Sequence, residues 1–195
     1  MTRMILPVVR YGHAALRQKG ARIEPITLTI KQLIADMFET MHANKGVGLA
    51  AQQVGQALQL TVIDVRGATD RPSSLELKGQ PADVHDFMPL VLINPEIRPA
   101  GDPVPGAEGC LSFPEIFADI TRPEFVEVKA LNEMAQPIEF RCGGLLARAV
   151  QHEVDHLNGI LFIDRMDKKT KEELRPELEA LHAATKAVLQ KAPKQ

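Results

Sequence analysis

The 195-residue sequence contains no long apolar segment, although 45% of its residues are hydrophobic. A helix that crosses a bilayer needs about 20 consecutive apolar residues, and no run in this chain approaches that length. The opening residues 1–7 are too short and too soon interrupted by polar residues and proline to form a signal peptide. We therefore expect a cytoplasmic protein with no membrane contact. Its length and apolar fraction predict a single domain, 1–195, around one core.

Cysteine is also scarce, because only Cys110 and Cys142 occur. Two cysteines in a chain without a secretion signal do not predict a disulfide framework. The role of each cysteine therefore has to be explained separately.

Blocks of like charge are absent, and 23 Lys and Arg stand against 25 Asp and Glu. This balance argues against tight, direct binding of RNA or DNA. The last thirty residues are rich in lysine and could favour an anionic surface such as a ribosome, although a solvated helix face is the simpler interpretation. These lysines are Lys168, Lys169, Lys171, Lys186, Lys191 and Lys194.

Hydrophobic periodicity predicts two helices before the terminal tail. The first covers about residues 29–42, and the following Asn44-Lys45-Gly46 favours a helix end, because Asn and Gly accept the left-handed backbone that closes a helix. The second covers about residues 145–158 and is closed by Gly159. Its apolar content predicts that it is largely buried.

A third helix is predicted from Thr170 to the end of the chain, within a helical tail that covers residues 167–195. Thr170 and Glu173 have the spacing of a capping box, and Pro176 either kinks the helix or restarts it as a first-turn residue. The apolar residues expected to pack this helix onto the protein are Leu174, Leu178, Leu181, Val188 and Leu189.

Short β-rich runs fill the region between the first two helices. They cover residues 60–65, 90–94, 125–131 and 137–140, and the last two form a hairpin. The Pro-, Gly- and Ser-rich stretch 66–89 is predicted to be a long surface loop. The order of elements favours an α+β fold, with antiparallel strands packed around the second helix and further helices near both termini.

The second helix carries the motif His152-Glu153-Val154-Asp155-His156. Histidines four residues apart lie on one helix face, so both can ligate one cation, and Glu153 beside them can take a proton from a metal-bound water. A buried helix with four such polar residues has a large desolvation cost unless a cation and polar partners offset it. The motif therefore predicts a metal site, in which Asp155 either joins the polar surroundings or faces water.

A catalytic site of this kind needs a third protein ligand. One protease pattern places a histidine where this chain has Phe162, which cannot ligate. A glutamate on the charged terminal helix would also serve, and the candidates are Glu173, Glu177 and Glu179. Cys110 is the better candidate, because it lies in the Gly- and Pro-bounded segment 108–114 between predicted strands. Cys142 is the competing thiol, which we interpret as a small core residue.

Three segments together resemble the peptide deformylase family. They are Gly46-Val47-Gly48-Leu49-Ala50-Ala51-Gln52-Gln53, Glu108-Gly109-Cys110-Leu111-Ser112 and Gln151-His152-Glu153-Val154-Asp155-His156-Leu157-Asn158-Gly159. They keep every fixed position of the family patterns GxGLAAxQ, EGCLS and QHExDHLxG, in that order. The resemblance extends over roughly residues 4–166, and Gln52 stands where many members have proline.

The resemblance implies a bacterial hydrolase that removes the formyl group from the N-terminal formyl-methionine of new proteins and releases formate. Cys110, His152 and His156 would bind the metal, with a water as fourth ligand, and Glu153 would act as general base and then as general acid. Ferrous iron is the metal that the resemblance favours, whereas zinc, nickel or cobalt also suits these donors.

The resemblance also implies how substrate is held. The Gln53 side-chain amide and the Leu111 backbone N–H would form an oxyanion hole. Val47, Gly48 and Ala149 would contact substrate, with Val47, Leu111 and Ala149 around the methionine side chain. The implied partners are formyl-methionyl nascent polypeptides.

Two alternatives remain open from the residues alone. A metalloendoprotease could use the same helix, but it would need a longer cleft and a glutamate or histidine as third ligand. An inactive binding protein with a structural metal site would need four protein ligands. Only three ligands are well placed here, which favours an enzyme.

Overall fold

The computed structural model describes residues 3–191. Its helices are α1 (Leu28–Ala43), α2 (Val84–Phe87), α3 (Gly144–Leu157), α4 (Lys168–Glu173) and α5 (Arg175–Lys191). Its strands are β1 (Gly48–Ala50), β2 (Leu60–Ile63), β3 (Ser73–Leu77), β4 (Gln80–Pro81), β5 (Leu90–Cys110), β6 (Phe113–Leu131) and β7 (Pro137–Gly143). Short 3-10 helices cover Ala14–Arg17, Ala51–Val54 and Phe162–Asp164. Within this described part, none of the helices combines the length and the apolar character needed to cross a membrane.

The strands form one antiparallel sheet in the order β1-β2-β5-β6-β7-β3-β4. Its longest pairing is the β5–β6 hairpin, which runs from Ile93 opposite Leu131 to Cys110 opposite Phe113. This hairpin carries Cys110 to its far end, close to the turn that joins the two strands. The sheet and its helices confirm the predicted α+β class.

The central helix α3 packs against the sheet with every residue from 145 to 157 buried. Leu146 and Val150 have no exposed surface, and they share a core cluster with Val126 and Val128 of β6. The helix begins at Gly144, whose φ is +65° and where a Cβ would overlap the Pro72 carbonyl oxygen. Only glycine meets both conditions, so the chain can turn sharply from β7 into the helix.

Two further core clusters hold the terminal helices. In α1, Met37 and Met41 are fully buried against Leu60 and Val62 of β2, which is why the apolar stripe seen in the sequence predicts this helix correctly. Near the other terminus, Leu178 of α5 joins a cluster built around aromatic side chains.

The prediction of a surface loop at 66–89 is wrong, because this stretch contains β3, β4 and α2. β3 pairs with β7 and places Leu75 opposite Cys142, with both side chains buried. β3 and β4 are joined by Lys78 and Gly79, whose φ values of 52° and 75° belong to a two-residue hairpin turn. The stretch is polar in composition, so its sequence does not predict this short hairpin.

The strands β5 and β6 extend far beyond the predicted runs 90–94 and 125–131. Their added length contains several prolines and polar residues, which have low strand propensity. It is paired strand to strand with register shifts after Ile93, Ala100 and Gly109. Tertiary pairing therefore overrides the local propensities.

The tail differs from its prediction at its start. Asp167 caps α4, because its carboxylate accepts a hydrogen bond from the Thr170 N–H at 2.9 Å. The capping box at Thr170 is therefore wrong. A second helix, α5, begins at Arg175, so Pro176 lies in its first turn rather than kinking a continuous helix.

The apolar residues of the tail pack only in part. Leu178 is buried and Leu174 and Leu181 pack partly onto its cluster, but Val188 is 69% exposed and Leu189 39% exposed. The tail lysines within the described residues are exposed, and Lys194 falls outside those residues.

Candidate metal centre

The end of β5 and one face of α3 bring three metal-ligating side chains together. The ligand atoms of Cys110, His152 and His156 all lie within 4.8 Å of one another. The distance from Cys110 Sγ to His156 Nε2 is 3.3 Å. The predicted ligands therefore meet, although Cys110 precedes the two histidines by more than forty residues along the chain.

The His152 ring is oriented by a buried carboxylate. Its Nδ1 lies 2.9 Å from Glu108 Oε2, which leaves Nε2 free to face the other two ligands. Burial by itself would raise the pKa of Glu108, but hydrogen bonds from His152 and Arg122 lower it to about 2. Glu108 therefore remains a carboxylate and holds one ring orientation.

The residues present fit a divalent cation. One thiol and two imidazoles form a donor set that suits iron, zinc, nickel or cobalt. His152 and His156 are buried, and the neighbouring Glu153 Oε2 has no hydrogen-bond partner among residues 3–191. Placing these polar groups away from water is costly unless a cation and its ligands offset the cost.

Glu153 follows His152 on α3 and is 4% exposed. Burial raises its pKa to about 7, and the charge of Glu108 acts in the same direction, while His152 opposes it. Gly48 packs against this carboxylate so closely that a Cβ at Gly48 would overlap Glu153 Oε1. A carboxyl group with a pKa near neutrality can both accept and donate a proton.

The Gln53 amide points at the same centre. Its Oε1 accepts a hydrogen bond from the Ala50 N–H at 2.8 Å, and its Nε2 lies 3.4 Å from Cys110 Sγ. The neighbouring Gln52 is also buried, but its amide has no hydrogen-bond partner in the described part of the chain. Of the two adjacent glutamines, Gln53 is therefore the one directed at Cys110.

The predicted substrate-contacting residues line one cavity of about 780 Å³. Val47, Gly48, Leu111 and Ala149 contribute to its wall, together with Gln53. Cys110, His152 and Glu153 line it as well, so the metal-ligating group opens into this cavity. At Gly46, a Cβ would approach Leu111 Cδ1 to 2.9 Å, so this glycine allows the loop to lie close to the cavity wall.

Comparison with known proteins assigns the chain to a family. The model of the polypeptide deformylase family matches residues 5–172. The chain belongs to this family. It is therefore an enzyme. The candidate ligands Cys110, His152 and His156 lie within the matched region, as do Gln53 and Glu153.

Individual deformylases are similar over nearly their whole length. The peptide deformylase of Methylacidiphilum infernorum is 47% identical over 91% of this chain and 93% of its own. That of Opitutus terrae is 42% identical over 97% of this chain and 100% of its own. The crystal structure of Arabidopsis thaliana peptide deformylase 1B has a TM-score of 0.81 and 35% identity, covering 97% of this chain and 98% of that one.

Membership of the deformylase family excludes the metalloendoprotease and the inactive binding protein. The glutamates considered as third ligands are Glu173, Glu177 and Glu179. They are exposed on α4 and α5 and do not belong to the metal-ligating group. Cys142 is 1% exposed in the core, where burial raises the pKa of its thiol to about 12.

Behind the ligands lies a buried network of charges that the sequence-based predictions missed. Arg122 donates to both oxygens of Glu108, at 2.6 and 3.0 Å, and to Asp155 at 2.8 Å. Asp155 also accepts from Arg165 at 2.7 Å, and Arg148 donates to Glu108 at 2.9 Å. The open question about Asp155 is thereby answered, since it belongs to the polar surroundings of the site.

One signal for this network was present in the sequence. Arg122 follows Ile116, Ala118 and Ile120 at spacings of two, so it lies on the inward face of β6. A charged residue at an inward strand position needs a buried partner of opposite charge. Glu108 satisfies this need from the neighbouring strand.

Proposed function

We propose that this chain removes the formyl group from the N-terminal formyl-methionine of newly made proteins in a bacterial cytoplasm, releasing formate. The observation that supports this proposal is that Cys110, His152, the Glu153 carboxyl and the Gln53 amide line one cavity, and that His156 lies with Cys110 and His152 in one metal-ligating group. Such a cavity combines the groups needed to activate water, to move a proton and to bind a carbonyl oxygen.

Cys110, His152 and His156 would hold the metal ion, which we assign as ferrous iron. A divalent cation there would supply Lewis acidity and lower the pKa of a water. Glu108 keeps His152 in the orientation needed for this binding, because its carboxylate lies at the opposite ring nitrogen.

Glu153 is the residue that moves the proton. Its carboxylate takes a proton from the water as the water oxygen attacks the formyl carbon. It then delivers that proton to the methionine nitrogen as the carbon–nitrogen bond breaks, so that formate and a free amine leave. Its buried position and its pKa of about 7 suit a group that acts first as base and then as acid.

Gln53 and Leu111 stabilise the negative charge that develops on the formyl oxygen. The Ala50 N–H holds the Gln53 amide oxygen, so that the amide nitrogen is directed toward Cys110 and the cavity. Removal of one such donor typically raises the barrier by about 3 kcal/mol. The apolar side chains of Val47, Leu111 and Ala149 receive the methionine side chain.

The test is an assay of formate release from a formyl-Met-Ala-Ser peptide by anaerobically prepared, ferrous-loaded protein. Glu153→Ala and the exposed control Glu177→Ala are measured alongside, with metal content determined for each. The parent and the control should release formate, whereas Glu153→Ala should retain metal and lose the activity. Fully loaded parent protein that releases no formate would contradict the proposal.

A further inference from the structure

The open end of the catalytic cavity carries three basic side chains. Arg10, Lys45 and Arg71 all line this cavity, whose inner wall contains Glu153. Arg10 and Lys45 are exposed and Arg71 is half-buried, so these residues lie at the mouth of the cavity. Within residues 3–191 none of the three is joined to a carboxylate by an ion pair.

The segment that carries Arg10 is tied to the catalytic residues on both sides. The Val9 N–H donates to the Gln53 carbonyl at 2.9 Å, and the Tyr11 N–H donates to the Ser112 carbonyl at 2.9 Å. Gln53 belongs to the proposed oxyanion hole, and Ser112 lies two residues after Cys110. The backbone of Arg10 is therefore held at a fixed place beside the reacting groups.

Backbone hydrogen bonds also hold the chain at or beside the other two basic residues, in different parts of the fold. The Lys45 N–H donates to the His42 carbonyl at 3.0 Å at the end of α1. Arg71 precedes Pro72, whose carbonyl accepts from the Leu145 N–H at 3.1 Å at the start of α3. Through Arg71, the stretch 66–89 therefore forms part of the wall of the catalytic cavity.

Among the described residues, the carboxylates at the mouth of the cavity are fewer than the basic side chains. Glu115 is the only exposed carboxylate that lines the cavity in the described part of the chain. Glu108 and Glu153 are buried deeper in the wall. Arg148 also lines the cavity, but its guanidinium is paired with Glu108. Over residues 3–191, the mouth therefore carries three cations outside ion pairs and one carboxylate.

We propose that this mouth selects formyl-methionyl chains that carry acidic side chains directly after the methionine. The inference rests on the proposed function, because a chain whose formyl-methionine occupies the inner cavity must leave through the mouth. Its next residues then pass Arg10, Lys45 and Arg71. Charges of one sign around a cleft raise the local concentration of substrates of opposite charge.

The experiment compares matched peptides that differ only in the charge of one side chain. Formyl-methionyl peptides amidated at the C-terminus carry Asp, Asn or Lys at the second or the third residue, and kcat/KM for formate release is measured with ferrous-loaded protein. At low ionic strength the Asp peptides should exceed the Asn peptides by about two- to fivefold, in keeping with exposed charge pairs. Salt should bring this ratio close to one, because it screens exposed charges.

Charge-reversal variants test which residues cause the preference. Arg10→Glu and Arg71→Glu should each lower the Asp-to-Asn ratio and raise the Lys-to-Asn ratio. Glu115→Gln should strengthen the preference for Asp. Lys186→Glu, on the exposed face of α5, is the matched control and should keep the parental ratios. A ratio is unaffected by a general loss of activity, so damage to the fold cannot imitate the result.

Each contrary outcome identifies what has failed. Formate release with an Asp-to-Asn ratio of one at low salt would overturn the charge preference and leave the deformylase proposal standing. A preference that survives both Arg10→Glu and Arg71→Glu would overturn its assignment to this mouth. Absence of formate release from every peptide would overturn the proposed function and the preference together.

Discussion

At the scale of single residues, Glu108 is the most informative position to change. Glu108→Gln keeps the shape of the side chain but removes the charge that orients His152 and pairs with Arg122 and Arg148. Loss of such a partner of a ligating histidine typically weakens metal binding by about 10–100-fold. Competition with a chelator, followed by metal content, measures this loss.

The control for this change is Glu124→Gln, which removes an exposed carboxylate on β6. Glu108→Gln also removes a charged partner from two buried arginines, Arg122 and Arg148, although Arg122 keeps Asp155. It should therefore lower the free energy of unfolding by about 3–5 kcal/mol. Unaltered metal affinity in folded Glu108→Gln protein would show that Glu108 does not position the ligand.

Gly48 offers a second test at the same scale. In Gly48→Ala the added Cβ would overlap the Glu153 carboxylate, which must then move. A displacement of about 1 Å in a catalytic site can reduce the rate about 100-fold. We expect kcat to fall by that order while metal content is unchanged, as measured by steady-state formate release.

The matched control is Gly67→Ala. Gly67 has no atom within 4 Å of an added Cβ, so this variant adds the same methyl group without a clash. It should keep the parental kcat. Equal rates for Gly48→Ala and Gly67→Ala would mean that the packing of Gly48 on Glu153 is not needed for the reaction.

The residues differ in how far the sequence could predict them. Cys110, His152 and His156 were predicted as ligands because two of them have helical spacing and the third lies in a distinct Gly- and Pro-bounded segment. Arg122 and Arg165 were missed. The alternation along β6 places Arg122 on the inward face, but no local pattern identifies the partners of either arginine, which lie on other elements. A buried ion pair depends on tertiary packing, which a local pattern does not encode.

At the scale of elements, the Arg17–Asp164 pair joins two 3-10 helices that are far apart in the chain. Burial would raise the pKa of Asp164, but hydrogen bonds from Arg17 and the Leu161 N–H lower it. The folded state therefore favours the ionised carboxylate. Its contribution to stability is present above the unfolded pKa of about 3.9 and is lost as the pH falls toward the lower folded pKa.

Asp164→Asn should therefore destabilise the protein at neutral pH by about 0.5–1 kcal/mol, because the pair is partly exposed to solvent. The difference from the parent should shrink as the pH is lowered through the range below about 4. Urea unfolding at a series of pH values measures it. A difference that stays constant down to pH 3 would show that ionisation of Asp164 does not contribute to stability.

The elements with strong periodicity were predicted well. α1 and α3 carry apolar stripes with helical spacing, and both appear within a residue or two of their expected bounds. The short hairpin of β3 and β4 and the extended parts of β5 and β6 were missed. Their residues have weak strand propensity, and pairing with distant strands stabilises them instead.

At the scale of the whole molecule, the metal centre joins parts of the chain that fold onto one another only in the native state. Cys110 comes from the end of the longest hairpin, and the two histidines come from the central helix. The unfolded chain cannot keep these ligands within 4.8 Å, so a cation should bind the folded state selectively. Selective binding stabilises the folded state by about 2.7 kcal/mol when the free ligand is at 100 times its Kd.

Removal of the metal should therefore lower the melting temperature, and re-addition of ferrous iron under anaerobic conditions should restore it. The two cysteines provide a matched pair for calorimetry. Cys110→Ala should lose the metal-dependent shift, because it lacks one of the three ligands. Cys142→Ala removes a buried core thiol, so its melting temperature should be lower with or without metal while the shift itself remains. A full shift in Cys110→Ala would mean that the cation is held elsewhere, and the site built by β5 and α3 would then need another explanation.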